Sequence, residues 1–291
     1  MIQHDILQPF VFERGGIRGE LVRLDETWRN ATAGRGYPPA VRDLLGELMA
    51  ASALLAATLK FNGSLVAQIQ GEGKVPLLVV ECTSELALRG MAHWREGVEA
   101  APLGELVGDG RFVITLDPKD GRQSYQGIVE LMGESVAAAL EHYMQRSEQL
   151  ATRLWLAADE RRATGMLLQQ LPADPRADGD AWERVTALGA TLTRGELLEL
   201  APAALLRRLF NQEDVRVFDT RPVAFRCSCS AQRVHAMLRM MGLAEVRAIV
   251  AERGEVEVHC EFCNRRYAFD AADTEQLFAA RAVGDASPMR H

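Results

Sequence analysis

Four of the five cysteines lie within 37 residues, as Cys227-Ser-Cys229, thirty intervening residues, and Cys260-Glu-Phe-Cys263. No other feature restricts the fold as much. Zinc(II) favours four ligands in a tetrahedron, with thiolate among its preferred donors. Two cysteines separated by one or two residues can bend around one ion, and two such pairs close its shell. The spacing predicts one Zn2+ per chain held by Cys227, Cys229, Cys260 and Cys263, with no ligand position left for substrate. His235 and His259 lie nearby and are expected to be bystanders.

The residues between the pairs predict a small module. Val234, Met237, Leu238 and Met241 form one helical stripe; Leu243, Val246, Ile249 and Val250 form another. The Met237, Met240 and Met241 stripe is expected to be core. Glu255 to His259 alternates as a strand into the second pair. Asn264 stands where such a knuckle often needs a positive φ, which Asn tolerates better than most residues. So small a unit has too little apolar surface to hold itself, so bound zinc would supply most of its folding energy, on the order of 10–16 kcal/mol.

A metal clamp of this kind suggests a switch. Bonds within the pairs, Cys227–Cys229 and Cys260–Cys263, would close very short loops and constrain the chain little. The tie across thirty residues would go, the metal would leave and the module would unfold. A cross-pair bond such as Cys229–Cys260 would preserve a tether, and mapping of the oxidised peptides decides between the two.

The chain has 291 residues, 48% apolar and 25% charged, so a large core is available. Residues 1–172 read as one α+β domain. Strands are expected at Phe10 to Phe12, Ile17 to Leu24, Ser64 to Gln70, Pro76 to Cys82, Leu86 to Trp94, Phe112 to Leu116 and Ser124 to Leu131. Arg153 to Ala157 and Gly165 to Gln170 close the domain as a strand pair. A long helix from Ala40 to Lys60 is apolar nearly all round in its second half, which predicts burial against a sheet. A second, amphipathic helix is expected over Ser135 to Gln149. Pro172 to Gly179 marks a boundary. Residues 173–212 form a helical linker with apolar stripes at Trp182, Val185, Leu188, Leu192, Leu205, Leu209 and Phe210, interrupted by Gly189, Gly195 and Pro202. Residues 213–291 are assigned to the cysteine module.

Several classes of function lose ground. The formal charge is -7, and Cys227 to Asp270 carries six arginines, no lysine and six acids, which disfavours a nucleic-acid reader. A thiol–disulfide oxidoreductase would place Cys260-x-x-Cys263 at the start of a helix, whereas here a strand precedes it. Gly71-Glu72-Gly73-Lys74 lacks phosphate-loop spacing, so no nucleotide is expected. No catalytic constellation surrounds His93 or His142, so no enzyme activity is expected. Cys82 follows an apolar run and reads as a buried strand cysteine. No apolar run is long enough to span a bilayer and no secretory signal is present, so the expected location is the cytoplasm, without a membrane partner.

The sequence resembles the heat-shock protein 33 family. The likeness rests on the cysteine spacing and on segments spread over nearly the whole chain. These are Arg18-Gly19-Glu20-Leu21, Ala57-Thr58-Leu59-Lys60-Phe61, Gln70-Gly71-Glu72-Gly73, Tyr125-Gln126-Gly127, Ser147-Glu148-Gln149, Met166-Leu167-Leu168-Gln169 and Phe225-Arg226-Cys227-Ser228-Cys229. The resemblance implies an ATP-independent holdase, inactive when reduced and zinc-bound. Oxidants combined with unfolding stress would form the two local disulfides, release zinc and unfold the linker, and a homodimer would then hold aggregation-prone client proteins. The family commonly has Gly where Asn264 stands, a departure that touches the oxidation threshold rather than the ligand set.

Overall fold

The computed structural model describes residues 5–172 and 178–282. The chain separates into two compact units, Met1–Arg226 and Cys227–His291.

In chain order, the first unit comprises β1 (Ile6–Phe12), β2 (Ile17–Leu24), α1 (Glu26–Thr32), α2 (Pro39–Thr58), β3 (Gly63–Gly71), β4 (Leu77–Thr83), β5 (Ala87–His93), α3 (Leu103–Val107), β6 (Gly110–Pro118), β7 (Tyr125–Glu130), α4 (Val136–Tyr143), β8 (Thr152–Ala158) and β9 (Ala163–Gln170). It continues through α5 (Ala181–Gly189), α6 (Arg194–Glu199), α7 (Pro202–Phe210), β10 (Val215–Val217), β11 (Arg221–Pro222) and β12 (Ala224–Phe225). The second unit holds α8 (Ala231–Met241), α9 (Leu243–Arg253), β13 (Val256–His259), β14 (Arg266–Phe269) and α10 (Ala271–Ala282). The fold is α+β, as the sequence predicts.

Two six-stranded sheets organise the first unit. One runs β10-β1-β2-β9-β8 with β11 also on β1; the other runs β12-β5-β4-β3-β6-β7. Helix α2 starts at Pro39, whose fixed φ suits a first turn. Its side chains join residues of both sheets in one core, with Leu45, Leu48, Met49 and Leu54 fully buried beside Leu7, Val22, Ile69 and Leu78. A helix apolar on every side needs cover on every side, and two sheets supply it. The buried Ser52 hydroxyl donates to the Leu48 carbonyl 2.7 Å away. Three segments that carry the family resemblance meet at Arg18, whose Nε donates to Gln169 Oε1 (2.9 Å) and whose Nη1 donates to the Thr58 carbonyl (3.0 Å).

The opposite face of the first sheet carries α5, α6 and α7. Cross-strand register places Phe10, Phe12, Ile17, Leu21, Met166 and Leu168 on that face. They form a second core with Val185, Leu197, Leu198, Leu205, Leu206, Leu209 and Phe210. Phe12 and Phe210 meet edge to face at 5.0 Å. Gly19 has to be glycine here, because a Cβ would stand 2.1 Å from the Phe10 ring.

The sequence-based outline needs three corrections. Strand β1 begins at Ile6 rather than Phe10, because its first half pairs with β2 and β11. The helix expected over Ser135 to Gln149 is present as α4 continued by a wider helical turn at Met144–Glu148, and it ends where Gln149 turns to φ 55°. Gly189 ends α5 and Pro202 opens α7, so neither interrupts a helix. The sequence reading places residues 213–226 in the cysteine module, yet β10, β11 and β12 complete the two sheets of the first unit. These strands span two or three residues each and exist only because β1 and β5 offer open edges. The expected boundary at Pro172 to Gly179 falls largely on residues 173–177, outside the described residues. Among the described residues, no helix is long and apolar enough to cross a membrane.

Candidate metal centre

The four cysteines sit on two turns of the second unit. The first pair precedes α8, whose N-terminus is capped by Ser230: its hydroxyl accepts from the Arg233 amide at 3.3 Å. Arg233 also reaches the Ser228 hydroxyl at 2.7 Å, holding the Cys-Ser-Cys turn against the helix. The second pair occupies the connection between β13 and β14, which pair antiparallel. The Asn264 amide donates to the Cys260 carbonyl (2.9 Å) and the Cys260 amide to the Arg265 carbonyl (3.0 Å). Asn264 closes this knuckle at φ 56°, as its position in the sequence predicts.

These turns bring all four sulfurs within 4.8 Å of one another. Cys227 Sγ lies 3.5 Å from Cys260 Sγ, and Cys229 Sγ lies 3.3 Å from Cys263 Sγ. None of the five cysteines is in a disulfide. Four sulfurs each ~2.3 Å from one zinc ion would be about 3.8 Å apart, so the cluster has the right dimensions for a four-thiolate metal site. Among the described residues this is the only such group of three or more His, Cys, Asp or Glu side chains.

The thiols are not equivalent. Burial works to raise the Cys229 thiol, but hydrogen bonds from the Tyr267 hydroxyl and from the neighbouring sulfurs outweigh it and pull it down to about 7. Burial pushes Cys227 up and Cys263 up to about 12. A cation would reverse the penalty for the half-buried Cys227 and Cys263, since a coordinating thiol is deprotonated outright. The Tyr267 hydroxyl donates to Cys229 Sγ at 3.1 Å. Sequence reasoning missed this residue; an aromatic hydroxyl four positions beyond the last cysteine was the available signal.

His235 packs edge-on against Phe269 and His259 pairs with Glu257, so both stand outside the sulfur cluster, as expected. Cys82 is fully buried on β4, and burial pushes its thiol far up. Cys260 and Cys263 follow a strand rather than opening a helix. The stripe at Met237, Met240 and Met241, expected to be core, is exposed instead, because Val234 and Leu238 face the module's interior. The linker residues Val185, Leu205, Leu209 and Phe210 are buried on the first sheet, and Trp182, Leu188 and Leu192 pack partly buried beside them.

The family model described as "Hsp33 protein" matches residues 5–270. The 33 kDa chaperonin of Methylobacillus flagellatus is 49% identical over 289 residues, covering 99% of each chain. That of Chromobacterium violaceum is 48% identical, covering 100% of this chain and 99% of its own. The crystal structure of the 33 kDa chaperonin from Thermotoga maritima matches with a TM-score of 0.83 at 23% identity, over 96% of this chain and 99% of that one, and so shares the fold. A match over nearly the whole length, with the cysteine turns inside it, makes the chain a member of the Hsp33 protein family.

Proposed function

We propose that the chain is a redox-regulated, ATP-independent holdase chaperone that uses one zinc ion as its off-switch. The sulfur cluster carries the reading. It joins turns separated by thirty residues in a module with little apolar core. Cys227, Cys229, Cys260 and Cys263 would hold the ion, which supplies cross-linking rather than catalysis.

Oxidation by peroxide or hypochlorite would join Cys227 to Cys229 and Cys260 to Cys263. Each bond takes two electrons from two thiolates, and the released ion leaves both turns without a tie. Because the four sulfurs are mutually close, proximity does not choose the pairing; local pairs are the ones that free the module.

The apolar stripes of residues 173–212 are the proposed client surface. In the closed state α5–α7 cover Phe10, Phe12, Ile17, Leu21, Met166 and Leu168. Strand β12 ends two residues before Cys227, so an unfolded module would pull on β10–β12 and on the helices before them. Release of α5–α7 bares both apolar partners at once, a large surface of the kind that binds other unfolded chains. The oxidised form is proposed to act as a homodimer in the cytoplasm, with unfolding proteins as its partners.

The test treats the reduced, zinc-loaded protein with peroxide under mild heating. Zinc release and suppression of aggregation of a chemically unfolded client should rise together, and peptide mapping should recover the two local disulfides. Aggregation suppression that is the same before and after oxidation, or recovery of mainly cross-pair disulfides, would overturn the proposal.

A further inference from the structure

Helix α8 carries three exposed methionines, two of which line a cleft in the cysteine module. Met240 is 89% exposed, and Met237 and Met241 are 41% and 43% exposed. Met237 and Met241 are four residues apart and share one face of α8. Together with Ile249 of α9 and Val256 and Val258 of β13, they line an open cleft of about 520 Å³. The cleft's two walls matter more than its volume. Helix α8 follows directly from the first cysteine pair, and β13 runs directly into the second. Leu238 of α8 and Val256 of β13 meet in the module's one core cluster, which Val246 of α9, Phe269 of β14 and Leu277 of α10 share.

We propose that Met237, Met240 and Met241 form a second oxidant-reactive site, at which hypohalous acid converts the thioethers to sulfoxides and loosens the packing between α8 and β13. The reaction balances as R–S–CH3 + HOCl → R–S(O)–CH3 + H+ + Cl−. Sulfur loses two electrons and gains the oxygen; the chlorine, formally +1, is reduced to chloride. The product is polar and chiral beside the apolar Leu238, Ile249, Val256 and Val258, in a cleft that Arg253, Glu255, Glu257 and His259 also line. Met240 stands outside the cleft, so it reacts first and without structural consequence. Met237 and Met241 react within it and transmit the damage. Thioethers are not oxidised by azo reagents that oxidise thiols, so the site would make the module respond to hypochlorous acid beyond its response to thiol oxidants. As a regulator of metal release, the site rests on the reading of the cysteine cluster as a zinc switch; as a structural effect on α8 and β13 it stands alone.

The experiment exploits the different reversibility of the two chemistries. The reduced, zinc-loaded full-length protein is treated with hypochlorous acid, its thiols are restored with dithiothreitol, and zinc is returned. Dithiothreitol leaves sulfoxides in place. Peptide masses should show one added oxygen at each of the three methionines. Amides of α8 and β13 should then exchange roughly tenfold faster than in untreated protein, as expected when a polar group enters an apolar contact. Treatment with methionine sulfoxide reductases should restore the original rate. M240L should keep the acceleration and the M237L/M241L variant should lose it. If that variant does not fold, the reductase step on the native sequence makes the same decision. Unmodified Met237 and Met241, unchanged exchange once both carry oxygen, or acceleration that survives the reductases would overturn the proposal. A parallel arm with diamide oxidises thiols alone. Zinc retained there would count against the cysteine switch, while the exchange result would still decide the methionine site.

Discussion

The first unit encloses α2 between two sheets and buries Trp28, Leu45, Leu48, Met49 and Leu54 completely. Among its described residues the cysteine module gathers seven buried apolar side chains, among them Val234, Leu238, Val246 and Phe269. Apolar burial is worth about 25 cal/mol per Å², so a core of that size falls short of the entropy lost in ordering the module. The contrast shows where a single chemical event can act. On the proposed function, one ion could be removed in a step, whereas a distributed core has no comparable point of failure.

Four measurements press on this contrast. The largest effect belongs to Cys227→Ser, which removes one of the four thiolates. The module should lose its metal and most of its folding energy, on the order of 10 kcal/mol, while the first unit keeps its own unfolding transition. Loss of both transitions together, followed by calorimetry, would show that the two units are not independent. Next comes Leu48→Ala at a fully buried position of α2. It should destabilise the first unit by about 2–5 kcal/mol and leave zinc content unchanged, as read by denaturant titration and metal analysis.

A smaller effect concerns Glu20, 7% exposed on β2, with Oε2 lacking a hydrogen-bond partner. Burial pushes its carboxyl up to about 7, against the attraction of Arg18 and Arg221. A carboxyl raised in the folded state contributes stability below pH ~4.5, its unfolded value, and loses it as pH rises towards 7. Glu20→Gln should remove this slope and raise first-unit stability at pH 8 by on the order of 2 kcal/mol, with little change at pH 4. Equal effects at both pH values would contradict the assignment. The smallest effect is at Asn264, φ 56°. Glycine suits that conformation better, so Asn264→Gly should stabilise the knuckle by roughly 0.5–1 kcal/mol. Slower loss of zinc to a chelator is the expected readout, and faster loss would mean that the Asn side chain itself supports the turn.

Much of the candidate site was legible because its determinants are local. Two close cysteine pairs, a strand leading into the second and an Asn suited to a positive φ are all sequence neighbours. Tyr267 was not legible in the same way, since its hydroxyl reaches Cys229, 38 residues earlier, only when the two cysteine turns come together. The methionine stripe misled for a related reason. Val234, Met237, Leu238 and Met241 share a helical period, but periodicity does not say which side of a broad apolar stripe receives a partner. Only the packed module turns Val234 and Leu238 inward and leaves the methionines at the surface.

By itself the sequence determined the four-cysteine cluster, the long buried helix, the strand pairs flanking their turns and the α+β class. These follow from spacing, side-chain period and turn residues, which act over a few positions along the chain. Tertiary structure alone decided that residues 213–226 belong with the N-terminal sheets and that the apolar stripes of α5–α7 are covered by Phe10, Phe12 and Leu21. A strand of two residues has no pattern to read, and an apolar face does not name what covers it. Both are settled when distant segments compete for the same open edge or the same dry surface.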